Sequence, residues 1–96
     1  MLTRTEIMEK LKHQKAALRQ FGVKRLGLFG SYSRGEALAA SDMDFVVEFD
    51  RKSFDSYMDL KFFLEGLFQN PVDLVLADNI KPRLKQSIAR DVQYVS

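Results

Sequence analysis

The stretch Asp42-Met43-Asp44-Phe45-Val46-Val47 sets two carboxylates one residue apart at the mouth of an apolar run. From Asp44 to Phe49 the chain is apolar enough to be a strand covered on both faces, so helices must flank it. If the backbone is already extended at Asp42, both carboxylates leave the same face, roughly 6.5–7 Å apart along the chain. Two ionised carboxylates drawn to about 4 Å repel by roughly 4 kcal/mol at an effective dielectric near 20. A shared proton, a basic side chain or a divalent cation must offset that.

The elements around this strand are legible. Thr3 with Glu6 three residues on reads as a capping box, and the helix it opens carries Ile7, Leu11 and Leu18 near one face until Phe21-Gly22 closes it. Val23 to Phe29 reads as a strand running into Gly30-Ser31, with a short turn or helical segment following to about Leu38. Ser53 caps a third helix that keeps Tyr57, Leu60, Leu64 and Leu67 at helical spacing. Gln69-Asn70-Pro71 punctuates the chain before a strand at Val72 to Leu76. A last helix runs from about Lys81-Pro82-Arg83 to Arg90, and the tail Val92 to Val95 is an edge strand or a packed extension. The order α-β-α-β-α-β-α predicts a small α/β (α+β) domain, a mixed sheet of three or four strands flanked by helices.

Ninety-six residues fit one domain over 1–96 with a thin core, so a substrate pocket is expected to be shallow or completed by another chain. No cysteine is present, which excludes disulfides and thiolate metal sites. No charged-then-apolar leader opens the chain and no apolar run approaches the roughly 18 residues of a membrane helix, so a cytoplasmic location without membrane contact is expected. A net charge of +2 and a pI near 9.0 suggest nucleic acid at first sight. The distribution argues differently: residues 1–35 hold eight Lys/Arg against two Asp/Glu, 36–78 hold three against ten, and 79–96 hold four against one. An acidic middle between basic ends suits a cation beside a polyanion at least as well as a duplex-binding stripe. Direct nucleic-acid binding is the weaker expectation, since no aromatic–basic recognition motif is present.

Asp73 adds a third carboxylate, one residue into the strand Val72–Leu76. An acid there is costly unless it sits at an exposed end or has a partner. Three oxygen donors without a nearby histidine or cysteine favour a hard cation, Mg²⁺ or Mn²⁺, which completes its shell with water and substrate phosphates. Upstream, Gly30 permits close backbone approach, amides at such a turn favour phosphate, and Ser31 adds a hydroxyl. His13 reads as a surface residue, and Tyr57, Phe62 and Phe63 as packing.

The combination Gly30-Ser31-x-x-Arg34-Gly35-x5-Ser41-Asp42-x-Asp44, with "VDLV" at Val72–Val75 and "KPRL" at Lys81–Leu84, resembles the signature of the DNA polymerase β-type nucleotidyltransferase superfamily. The likeness is strongest to its minimal nucleotidyltransferase (MNT) domains and covers nearly the whole chain. One departure is Gln69-Asn70-Pro71, where such domains often carry a glycine and basic residues. The resemblance implies transfer of a nucleoside monophosphate from an NTP, here ATP, with release of pyrophosphate. It implies two Mg²⁺ ions (Mn²⁺ as substitute) on Asp42 and Asp44, joined by Asp73 on the acceptor side as ligand or proton acceptor. Gly30 and Ser31 would hold the triphosphate, and Arg34 is a candidate phosphate contact. It further implies an antitoxin that adenylylates a tyrosine of a HEPN-domain ribonuclease toxin. The alternative is a non-catalytic antitoxin that neutralises that toxin by complex formation.

Overall fold

The computed structural model describes residues 2–51 and 53–95. Along the chain run α1 (Arg4–Lys12), α2 (Lys15–Gln20), β1 (Val23–Phe29), α3 (Gly30–Arg34), β2 (Met43–Phe49), α4 (Phe54–Phe68), β3 (Val72–Leu76), α5 (Pro82–Asp91) and β4 (Gln93–Tyr94). The strands form one sheet in the order β3-β2-β1-β4. β1 is antiparallel to both β2 and β4, while β2 and β3 run parallel, so the sheet is mixed as expected. The tail resolves as an edge strand beside β1.

Local chemistry explains most boundaries. The capping box is present: Glu6 N donates to Thr3 Oγ1 at 3.2 Å, and Thr3 N donates to Glu6 Oε1 at 2.9 Å. That carboxylate's pKa is lowered by the two bonds with Thr3. The single leading helix expected from the sequence is in fact two. At Gln14 the amide donates to Leu11 O at 3.0 Å, a tightened three-residue turn that separates α1 from α2. No glycine or proline marks the break, and Leu11 and Leu18 reach the sheet on either side of it, so their spacing does not betray it. The segment after β1 is helical only to Arg34, because Gly35 at φ 73° closes it. α4 starts where Ser53 Oγ accepts from Ser56 N at 3.1 Å, and Pro82 stands in the first turn of α5.

Alternation along β2 divides the core. Phe45 and Val47 join Leu11, Leu60 and Leu64 on the face covered by α1, α2 and α4. Val46 points the other way, towards Phe29 and Ile88 under α5. Near β4 the backbone of Gly27 is closely covered: a Cβ there would lie 2.6 Å from Val92 Cγ2 and 2.9 Å from Tyr94 Cδ1. Above the Tyr94 ring sits the Arg25 guanidinium, 4.2 Å from the centroid. His13 is exposed, as expected, and Phe63 packs against Phe21 with ring centroids 5.2 Å apart. Phe62 departs from the expectation of packing, since it is 61% exposed on the outer side of α4. Among the described residues no helix is long and apolar enough to cross a membrane.

Candidate active site

β1 ends at the same rim of the sheet where β2 and β3 begin. Phe29 pairs with Asp44 across β1–β2, and Asp44 pairs with Asp73 across β2–β3. The Gly30 turn, Asp44 and Asp73 therefore lie on three successive strands, each about 4.8 Å from the next. In-register neighbours project to the same face, here the one that α5 covers farther along the sheet. Asp44 is half-buried; Asp42 and Asp73 are exposed.

Gly30 is required here on two counts. Its φ of 76° lies in the left-handed region, and a Cβ would run into the Asp44 carboxylate, whose Cγ is only 3.0 Å from that position. The turn that opens α3 is thus pressed against the central acid. The first amides of a helix have no intrahelical acceptor, so Gly30 and Ser31 present donors beside Asp44.

Crowding shows in the protonation of Asp44. Its pKa is pushed up from 3.8 to about 6, first by burial and then by repulsion from Asp73 and Asp42, with Arg34 partly offsetting them. A divalent cation would relieve this, and the donors are all oxygen, as a hard ion prefers. Among the described residues no three carboxylate, imidazole or thiolate side chains are drawn together into a ready cage. The protein offers few ligands on an open rim, which suits Mg²⁺ carrying waters and substrate phosphate.

Arg34, a candidate phosphate contact, already has two partners. Its Nε lies 2.5 Å from Glu36 Oε1 and its Nη1 lies 2.6 Å from Asp91 Oδ2. The Asp91 side chain is only 3% exposed and also receives Arg90 Nε at 2.9 Å. Its carboxyl is held below the usual range by Arg90 first and Arg34 second. Ser33 Oγ donates to the Asp91 carbonyl. Arg34 therefore fastens α3 to α5 and contributes charge to Asp44 through space.

Sequence reasoning missed the part played by Asn70. Its Nδ2 donates to Ser41 O at 3.1 Å and to Pro71 O at 3.0 Å. The two loops that lead into Asp42 and Asp73 are thereby tied together. Ser41 in turn accepts from Leu38 N through Oγ at 2.9 Å, fixing the loop on the other side. The signal was an amide residue two positions before the strand that carries the third acid.

Comparison with known proteins identifies the family. Residues 10–95 match the family described as "Nucleotidyltransferase domain". The protein adenylyltransferase MntA of Thermococcus cleftensis is 41% identical over 97 residues, covering 99% of this chain and 98% of that one. A relative in Methanocaldococcus jannaschii is 43% identical over 100 residues, with 99% and 100% covered. A solved structure of a minimal nucleotidyltransferase superposes with a TM-score of 0.71 at 33% identity, over 90% of this chain and 93% of the other. A crystal structure of a toxin–antitoxin with AMP-PNP gives a TM-score of 0.72 at 26% identity, over 91% and 72%. A glycine turn pressed on the central one of three rim carboxylates, and relatives matched over almost their full length, lead to one conclusion: this chain belongs to the nucleotidyltransferase family, in its minimal branch.

Proposed function

We propose that the chain transfers AMP from ATP to a tyrosine hydroxyl of a HEPN-type ribonuclease and so acts as that toxin's antitoxin. The observation that carries this reading is the contact of Gly30 with Asp44 and the register of Asp44 with Asp73. It sets a phosphate-favouring turn and a pair of carboxylates side by side. The protein adenylyltransferase MntA, 41% identical over nearly the whole chain, supports the AMP-transfer chemistry. The toxin–antitoxin crystallised with AMP-PNP supports both the nucleotide and the kind of partner.

In this reading the Gly30 and Ser31 amides and the Ser31 hydroxyl hold the β- and γ-phosphates. Asp42, Asp44 and Asp73 would hold Mg²⁺, which when bound stabilises charge on the attacking and leaving oxygens. The acceptor oxygen forms a bond to the α-phosphorus, the α–β anhydride bond breaks, and pyrophosphate leaves. Asp73, exposed at the rim, receives the hydroxyl proton. Asn70 keeps the Asp42 and Asp73 loops in register throughout.

The test mixes this protein with its HEPN partner, Mg²⁺ and ATP and weighs the partner by intact-mass spectrometry. One or more AMP additions are expected, and none with Asp42→Asn/Asp44→Asn. An unchanged partner mass with the ribonuclease still silenced would replace the enzymatic reading with inhibition by binding alone.

A further inference from the structure

A cavity of about 630 Å³ lies along the outer edge of β3 and begins at Asp73. Phe54 and Tyr57 at the start of α4 form one wall, Lys81 and Arg83 at the start of α5 the other, with Leu76 at the far end of the strand. Its size falls within the roughly 300–1,000 Å³ of ordinary ligand pockets. We propose that this cavity is the acceptor groove, holding an extended, acidic segment of the acceptor protein with its hydroxyl residue at the Asp73 end. The proposal rests on the AMP-transfer reading above and adds where the second substrate sits.

The order of elements across the rim assigns the occupant. Moving outward from the Gly30 turn on β1, one meets Asp44 on β2, Asp73 on β3, and then the cavity. In-line displacement at phosphorus puts the leaving and attacking oxygens on opposite sides. With the departing phosphates on the β1 side, attack comes from the β3 side, where the cavity opens.

Hydrogen bonding at the strand edge decides how the segment is held. Met43 N donates to Pro71 O and Ala77 N donates to Val47 O, so the odd-numbered residues here turn their backbone towards β2. Val72, Leu74 and Leu76 therefore turn theirs outward. Three of those outward groups are already taken: Tyr57 Oη donates to Leu74 O at 2.7 Å, Val72 N donates to Glu65 Oε2 at 3.1 Å, and Asn79 N donates to Leu76 O at 3.1 Å. With those groups engaged, a visiting segment is held chiefly by side chains rather than as a full fifth strand. Phe54, 77% exposed, is an apolar lip. Lys81 and Arg83 are exposed and form no ion pair among the described residues. Two free cations on one wall select carboxylates near the acceptor hydroxyl.

The test uses the HEPN partner with wild type, Phe54→Ala and Lys81→Glu/Arg83→Glu. All three altered positions are exposed, so the fold is expected to survive, checked by thermal melting. Both variants are expected to raise the KM and Kd for the partner by about tenfold, more steeply at low salt for the charge reversal, with AMP-PNP affinity held within about twofold. Weakened AMP-PNP binding with unchanged partner affinity would make the cavity a nucleoside site and overturn the proposal. Unchanged values for both ligands would overturn it as well. If wild type binds the partner without labelling it and the variants lose that binding, the transfer reading fails while the groove stands as a docking surface. If wild type labels the partner and the variants do so with the same KM, the groove fails and the transfer reading stands. A wild type that neither binds nor labels the partner overturns both.

Discussion

The two faces of the sheet are stabilised to very different degrees. Under α1, α2 and α4, Leu28, Phe45, Leu60 and Leu64 are all fully buried, and Phe45 and Phe68 stack with ring centroids 6.0 Å apart. Under α5 the buried cluster is Phe29, Val46 and Ile88, and the same face carries Asp44 and Asp73 at its rim. Apolar burial contributes roughly 25 cal/mol per Å², so the first face supplies most of the folding energy. That surplus lets the second face keep three mutually repelling carboxylates at its rim. The chain is stabilised on one side and carries its candidate site on the other.

The contrast can be tested directly, beginning with the largest effect. Asp42→Asn/Asp44→Asn is expected to lower AMP transfer by about 10⁴-fold, near 5 kcal/mol of transition-state stabilisation, in a protein that melts no lower than wild type. A large fall in melting temperature would mean that the acids support the fold, and the division between faces would be wrong. Phe45→Ala, on the other side of the same strand, should cost about 3–5 kcal/mol in chemical denaturation, well above Ile88→Ala at about 2 kcal/mol. Equal losses would show that the α5 face carries as much of the core. Gly30→Ala joins the two sides, since it strains a positive φ and pushes on Asp44. A loss of about 2 kcal/mol is expected together with failure to bind AMP-PNP, read by calorimetry.

The fourth effect is smaller and depends on pH. The Asp44 carboxyl holds its proton more tightly folded than unfolded, with a pKa near 6 against an ordinary 3.8. Its contribution to stability is therefore full below about pH 4 and is lost as pH rises through about 6. Because the group is only half-buried, solvent screening reduces this to about 1 kcal/mol. Without divalent ions, Asp44→Asn should be more stable than wild type above pH 6 and no more stable at pH 4. A difference independent of pH would remove Asp44 as the crowded group. Last, Arg25→Ala loses its place over Tyr94 and its 3.8 Å contact with Glu48, for less than about 1 kcal/mol.

How much of this was legible in the sequence depended on whether a feature was local. The capping box at Thr3, the Ser53 cap and the bounds of β3 were readable because propensity and alternation act over a few residues. The break at Gln14 was not, since Leu11 and Leu18 reach the sheet with or without it. In the site, the spacing of Asp42 and Asp44 and the glycine at 30 could be read along one strand and one turn. That Gly30 touches Asp44, and that Asp73 stands in register with it, required the order of strands, which no local pattern encodes. Arg34 shows the limit most clearly: its position beside the glycine turn suggested phosphate, while its partner Asp91 lies at the far end of α5. Asn70 looked like a defect in a motif until the loop it binds was in place.

The narrow strand β4 has a consequence for the order of folding. Residues 93 and 94 close the edge of a strand laid down at residues 23–29, and Gly27 is kept bare so that Val92 and Tyr94 can lie over it. During synthesis, once β2 has emerged and until that distant segment follows, β1 has only one of its two neighbours available. An unpaired strand edge is a template for another chain, so the nascent protein passes through a stage in which it is most prone to mispair. Slowing the docking of residues 92–95, for example with Gly27→Val, should therefore show first as lower soluble yield.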